Sequence, residues 1–515
     1  MLLLASLAPF SSLSAEPRQE PHLLTESTYT TAVRAANSGL TASSSPMAMD
    51  AVSPAGHQGA LNTQGAIQGI AIHNASASDA EYLLVPLNLS PTSALSLEIV
   101  LQGNIAAAVG NSGNATVPAD DPRIVRRRAM QADFLNRRGG TDPGTPLNPA
   151  TAVPHGQLPA VGDTWRLNNE LANQCAAGLS AEADVIWVGD NIIVLTDKSN
   201  PAATWNNTDL QNALTAIDTQ VYPAVTSKFG PPSDLDGNGK VVIFITQGFN
   251  RLDAAASSSG VGLYLPRDKL SRQECATGNV GEVVYMLAPD PTGVVNSNVR
   301  TVSYVTGALA PSFARELAHM VLDGHRMASL SPFEETWLDE ALGGMAMEQA
   351  FYATSVGLGP FSNIVLSNLT TGPNASRRVA AFNTYQNNLY SGWRSWLQFP
   401  SNLGVMDSNR INTASSGVQW AFLRYVTDRY AGTSQANETS FLQSLVNSNL
   451  TGVDNIRQAI NAEPTQWLRD FLLSVYLDDN SKVGTLGSTG IYSMSSWNFR
   501  SVYGGLGGFP LRDIA

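Results

Sequence analysis

The sequence is short of histidine, of cysteine and of charge. Its 515 residues include 6 His and 2 Cys. Two cysteines exclude a disulfide-built scaffold. Six histidines leave few candidates for an imidazole metal site: His22, His57, His73, His155, His319 and His325. Charged residues make up 14%, against about 25% in an average soluble protein. Ser, Thr, Asn, Gly and Ala take their place, giving the neutral polar surface common in exported proteins. Positive charge is the scarcer sign, with 30 Lys+Arg against 42 Asp+Glu and a net charge of −12. No global basic field attracts phosphates, so nucleic acid is not an expected partner. No later stretch approaches 18 uninterrupted apolar residues, so no integral membrane segment is expected in the mature chain.

What is present is length and apolar mass. Hydrophobic residues reach 43%, and a chain of this length is expected to split into two or three domains. Residues 1–15 contain an apolar run ending in small residues, resembling a secretory signal without its basic n-region. Secreted or periplasmic localisation is therefore expected, and export would permit a Cys175–Cys275 disulfide. Residues 16–65 read as a flexible leader rich in Ser, Ala, Thr and Gln. Strand-like runs at Gly69–His73, Tyr82–Leu87 and Leu95–Leu101 predict a small β-sandwich over 66–117. Residues 118–161 form a basic segment and a Pro-rich linker. Arg123–Arg138 reads as a short helix, and its Arg126-Arg127-Arg128 cluster reads as a solvated face.

A larger domain is expected over 162–480, with 481–515 as its C-terminal tail. Val185–Val188 and Ile192–Leu195 flank Gly189-Asp190-Asn191, the pattern of a hairpin. Helical periodicity runs over Thr208–Val221 with Thr208 as N-cap. Further strands are expected at Val241–Thr246, Val261–Leu265 and Glu282–Leu287. Helices are expected at 312–322, 336–352, 417–431 and 464–477, with Gly432 ending the third. Strands followed by helices give an α+β domain.

The chemistry concentrates in Pro311–Ala353. It holds Arg315-Glu316-Leu317-Ala318-His319 and, farther on, Glu335-Thr336-Trp337-Leu338-Asp339-Glu340. A zinc peptidase places two imidazoles at i and i+4 on one helical face, with a glutamate after the first as general base. A third ligand comes from a second helix, and Glu340 opens such a helix 21 residues after His319.

This stretch resembles the hyicolysin-type zinc metallopeptidases, whose His-Glu-x-x-His helix is followed by a Trp-Leu-x-Glu helix, as in gluzincins. Echoes extend the resemblance over roughly residues 165–480: Asp234-Leu-Asp-Gly-Asn-Gly-Lys240, Trp420–Gly432 and Trp467–Asp478. The resemblance implies a zincin-like α+β fold, zinc as cofactor and peptide or unfolded protein as substrate. It assigns Glu316 as general base and His319 and Glu340 as metal ligands.

The first ligand departs from the pattern, because Arg315 stands where the family has His. A guanidinium has no lone pair to offer a metal and stays protonated. Its natural partners are Glu316 and Glu340. His325 lies six residues past His319, about 600° around a helix, and points away from the ligand face. His319 and Glu340 alone are too few for a catalytic zinc, which usually has three protein ligands. Two readings follow. In one, the zinc site is disabled and the cleft binds peptides or proteins, or only holds structure. In the other, the chain is an active secreted zinc metalloendopeptidase. Asp234, Asp236 and Asn238 also resemble the opening of a calcium loop, although the twelfth position is Ile245 and a Gly-rich turn explains the same residues.

Overall fold

The computed structural model describes residues 51–52, 71–72, 120–137, 158–172, 175, 180–252, 260–271, 274–275, 277–398, 400, 403–480 and 490–511. The signal-like segment and nearly all of the expected leader, β-sandwich and Pro-rich linker lie outside these residues. The chain divides into two units near Val109 and Gly110. In the first, β1 (Ala51–Val52) pairs in parallel with β2 (Ala71–Ile72). Everything below concerns the second.

That unit begins with α1 (Pro122–Arg137) and then builds a six-stranded mixed sheet. The strands are β3 (Thr164–Asn168), β4 (Ser180–Val188), β5 (Ile192–Asp197), β6 (Val241–Thr246), β7 (Gly262–Tyr264) and β8 (Val283–Leu287). Their order is β3-β4-β5-β6-β8-β7. The strands β5, β6 and β8 run parallel, while β4 forms the expected hairpin with β5 and β7 runs antiparallel to β8. The central strands are buried on both faces, which is why Val-Val-Ile-Phe-Ile shows no polar alternation.

Between β5 and β6 come α2 (Asn207–Ala216), a π-helical turn at Ile217–Val221 and α3 (Tyr222–Phe229). Asn206 caps α2 by accepting from the backbone of Thr208 and Asp209. The cap therefore falls two residues before the expected Thr208. A side-chain amide oxygen placed just before the first turn satisfies its free N–H groups.

The helical half is built on α4 (Val302–Ala328) and α5 (Thr336–Thr354). The helix α4 starts well before the expected residue 312 and carries Pro311 inside it. Proline removes one N–H, but Thr301 caps the true start by accepting from Tyr304 N. Behind α5 lie α6 (Asn387–Gln398), α7 (Thr413–Ala431), α8 (Gln435–Val446) and α9 (Pro464–Leu477). Helices α6 and α7 touch through glycine: a Cβ on Gly417 would stand 2.1 Å from Trp393 N. Cys175 and Cys275 are disulfide-bonded.

Two close approaches aim the candidate site. At the edge strand, a Cβ on Gly262 would lie 2.8 Å from Ser312 Cβ, so glycine lets α4 cross β7 at short range. On the other side, a Cβ on Gly343 would lie 3.0 Å from both Arg315 Cγ and His319 Nε2. These contacts bring one face of α4 between the sheet edge and α5.

Candidate active site

The face of α4 carrying Glu316, His319 and Asp323 follows the i, i+3, i+4 rows of a helix. All three side chains are buried. Across from them α5 presents Asp339 and Glu340, also buried. Trp337 and Leu338 are packed into the core on the same first turn, which turns the following acids toward α4.

His319 Nδ1 lies 2.6 Å from Asp339 Oδ1, and its Nε2 lies 3.9 Å from Glu340 Oε1. Among the described residues, that Nε2 is buried without a hydrogen-bond partner. Burial, with Arg127 beside it, pushes the His319 pKa below its ordinary value against the pull of Asp339. The ring is therefore a neutral imidazole at neutral pH.

Arg315 forms an ion pair with Glu340, and its Nε stands 3.9 Å from Glu316 Oε1. Burial and the neighbouring Arg123 lower the Arg315 pKa to about 10, which leaves it protonated at neutral pH. Glu316 Oε2 accepts from the backbone N–H of Tyr264 on the edge strand at 2.9 Å.

The sequence reading missed the second cation of this site. Arg127 of α1 is 2% exposed, which corrects the expectation that the Arg126–Arg128 cluster is a solvated face. One of its terminal nitrogens stands 2.9 Å from Asp339 Oδ2 and also pairs with Glu340. The other lies 3.7 Å from Glu316 Oε2. Burial alone would lower the Arg127 pKa, but Asp339, Glu316 and Asp323 together raise it. Burial would likewise raise the Asp339 pKa, yet Arg127 and then His319 hold it well below the usual carboxylate range. Asp323 behaves oppositely. Burial, followed by the charge on Asp339, lifts it to about 8, so it is protonated at neutral pH. Gln131 of α1 donates to it at 3.1 Å.

The site thus holds Glu316, Asp339 and Glu340 against two guanidiniums. Of the expected residues, Arg315, Glu316, His319 and Glu340 meet. Asp339, Asp323 and Arg127 join them. Asp339 had a signal, since it precedes the expected ligand on the same turn. Arg127 had none beyond its basic cluster.

The residues do not fit a catalytic zinc. Among the described residues two donors, His319 Nε2 and Glu340, face the site, whereas three protein ligands are usual. The position that should supply the third carries a cation without a lone pair. Both carboxylate oxygens of Glu340 are already engaged, Oε1 by Arg127 and Oε2 by Arg315.

The calcium-like turn lies elsewhere. Asp234, Asp236 and Glu282 bring carboxylate oxygens within 4.8 Å of one another. In the same turn, Asn238 Oδ1 accepts from Lys240 N at 2.6 Å and its amide donates to Asp236. A protein cation already stands there, with Lys269 Nζ 3.1 Å from Glu282 Oε1. Burial is the main cause that raises Asp236 to about 6.

No protein-family model matches the chain. It is similar to a neutral metalloprotease, ShpI, of Staphylococcus hyicus, at 29% identity over 168 residues. The match covers 32% of this chain and 33% of that relative, so the two align over about a third of their lengths. The mixed sheet with its helical half is compatible with a metallopeptidase fold.

Proposed function

We propose that the chain is an exported, metallopeptidase-like protein of hyicolysin type whose zinc site is closed by arginine and whose cleft persists as a peptide-binding groove. The observation that carries this reading is the ion pair between Arg315 and Glu340. A buried guanidinium takes the place of a ligand and engages the carboxylate that would be another. Glu316, the general base by resemblance, is held by Tyr264 N and faced by Arg127. The partial similarity to a neutral metalloprotease supports the peptidase ancestry and peptides as the ligand class. The Cys175–Cys275 disulfide supports export to an oxidising compartment.

One observation favours the alternative, an active zinc metalloendopeptidase. His319 keeps a carboxylate on Nδ1 and a free Nε2, the arrangement that orients a ligand imidazole.

Metal analysis of the full chain beside Arg315→His decides between them, with both assayed on casein. The expected result is well under one zinc per chain in the wild type and no casein cleavage, with zinc gained by Arg315→His. One zinc per wild-type chain, together with cleavage lost on Glu316→Gln, overturns the closed-site reading.

A further inference from the structure

Helix α1 lies on the candidate site through a regular set of polar side chains. Arg123, Arg127 and Gln131 recur at i, i+4 and i+8, so they share one face. Each reaches a different wall. Arg123 Nη1 donates to the carbonyl of Gly262 on the edge strand at 3.4 Å. Arg127 enters the carboxylate cluster. Gln131 caps Asp323. Ile124 and Met130 supply the apolar part of that face, at 2% and 4% exposure.

Both flanks of the groove hold the helix. Arg126 Nη1 donates to the carbonyls of Leu171 and Ala172 at 2.9 Å on one side. Arg128 Nη1 donates to Ser408 O at 2.7 Å on the other. Asp121 N donates to Ile411 O at 2.6 Å. Four of the six residues that make these contacts are arginine.

The charge around Arg127 shows what this position takes. Without it, Glu316, Asp339 and Glu340 face Arg315, with Arg123 near Glu316 but already paired with Asp121, and the buried space carries excess negative charge. Such a socket is strongly unfavourable empty and selects a cation. The carboxylates lie on more than one side, which suits the planar fork of a guanidinium better than the point charge of an ammonium.

We propose that α1 is a tethered ligand of the groove, and that the groove recognises in trans a helical polypeptide segment bearing an arginine, whose guanidinium replaces that of Arg127. The claim rests on the peptide-groove reading above and names its ligand class. Displacement of α1 is then the step that opens the groove, and the anionic socket sets what enters.

The test uses the full chain and a fluorescein-labelled peptide with the sequence of residues 120–137, read by anisotropy. Arg127→Ala is expected to bind the peptide saturably. Wild type, its socket filled, is expected to bind at least tenfold more weakly. A peptide with Gln in place of its Arg127 is expected to lose at least tenfold on the same variant. No saturable binding by a natively folded Arg127→Ala chain overturns the proposal. So does binding that ignores the arginine. If Arg127→Ala does not fold, Arg126→Ala/Arg128→Ala loosens the flanks without touching the socket and is held to the same arginine dependence. Zinc content of the wild type is measured in parallel. Stoichiometric zinc refutes the closed-site reading whatever the anisotropy shows, whereas failed peptide binding without zinc refutes only the tethered-ligand proposal.

Discussion

His319 and Asp339 meet across the two helices, Nδ1 to Oδ1, at 2.6 Å. A carboxylate on the far ring nitrogen fixes an imidazole so that Nε2 faces inward. Four residues before His319 on the same helix stands Arg315, whose guanidinium offers a metal no lone pair.

Arg127 adds a second obstacle to metal, because it places a cation against the same carboxylates. Restoring the donor alone leaves that repulsion. The double variant Arg315→His/Arg127→Ala is therefore expected to hold zinc more tightly than Arg315→His. Competition with a chromogenic chelator checks this, and a gain of about tenfold in affinity is expected from removing one adjacent charge.

In the Arg315–Glu340 pair the carboxylate is fully buried and the arginine side chain is 11% exposed. Removing Arg315 leaves Arg127, among the described residues, as the one cation paired with Glu340, and it faces Asp339 and Glu316 as well. Arg315→Met is expected to cost about 3–5 kcal/mol, and Glu340→Gln less, because Glu316 and Asp339 still balance the two guanidiniums. The double variant removes both charges and is expected to cost less than the sum of the two. Urea unfolding of all four chains measures this as a double-mutant cycle. Strict additivity would mean that the pair is not an energetic unit.

Much of this architecture was legible in the sequence. The Val-Val-Ile-Phe-Ile run marked a strand, and Gly432 marked the end of α7, where it has φ +64°. Arg315, Glu316, His319 and Glu340 were legible as one site because helical spacing fixes which side chains share a face. Arg127 was not. It lies 189 residues before Glu316, and a buried arginine is written with the same letter as a solvated one. Only the fold supplies the carboxylates that make its burial tolerable. The start of α4 was hidden for a simpler reason: Pro311 imitates a helix start.

Helix α7 meets α6 with no room for a side chain. A Cβ on Gly417 would stand 2.1 Å from Trp393 N and 2.3 Å from Gly392 C, both backbone atoms that no rotamer change can move. Gly417→Ala is expected to cost at least about 2–3 kcal/mol through overpacking, despite the higher helix propensity of alanine. Chemical unfolding measures it. A neutral or stabilising effect would contradict the close crossing.

The disulfide joins residues separated by 100 positions. In the chain-entropy account, a loop of that length limits the unfolded state by about 4–5 kcal/mol. Cys175→Ser/Cys275→Ser is expected to lose about 2–5 kcal/mol. Dithiothreitol is expected to lower the wild-type unfolding midpoint and leave that of the variant unchanged.

Asp478 gives a pH dependence whose sign can be worked out. It ends α9, and its Oδ2 accepts from Met494 N at 3.2 Å. Burial, then the charges of Asp479 and Asp428, raises its pKa to about 9. In the unfolded chain an aspartate titrates near 3.9. Between these values the native state holds a proton that the unfolded state has released. Rising pH therefore favours unfolding across this window, and the stabilising contribution of the native proton is complete below about pH 4. Asp478→Asn keeps the acceptor for Met494 N and cannot ionise in either state. It is expected to match wild type near pH 4 and to exceed it increasingly from pH 5 to pH 8. Guanidinium unfolding at pH 4, 6 and 8 tests this: a difference between the two chains that stays constant with pH would mean that Asp478 is ionised in the folded protein.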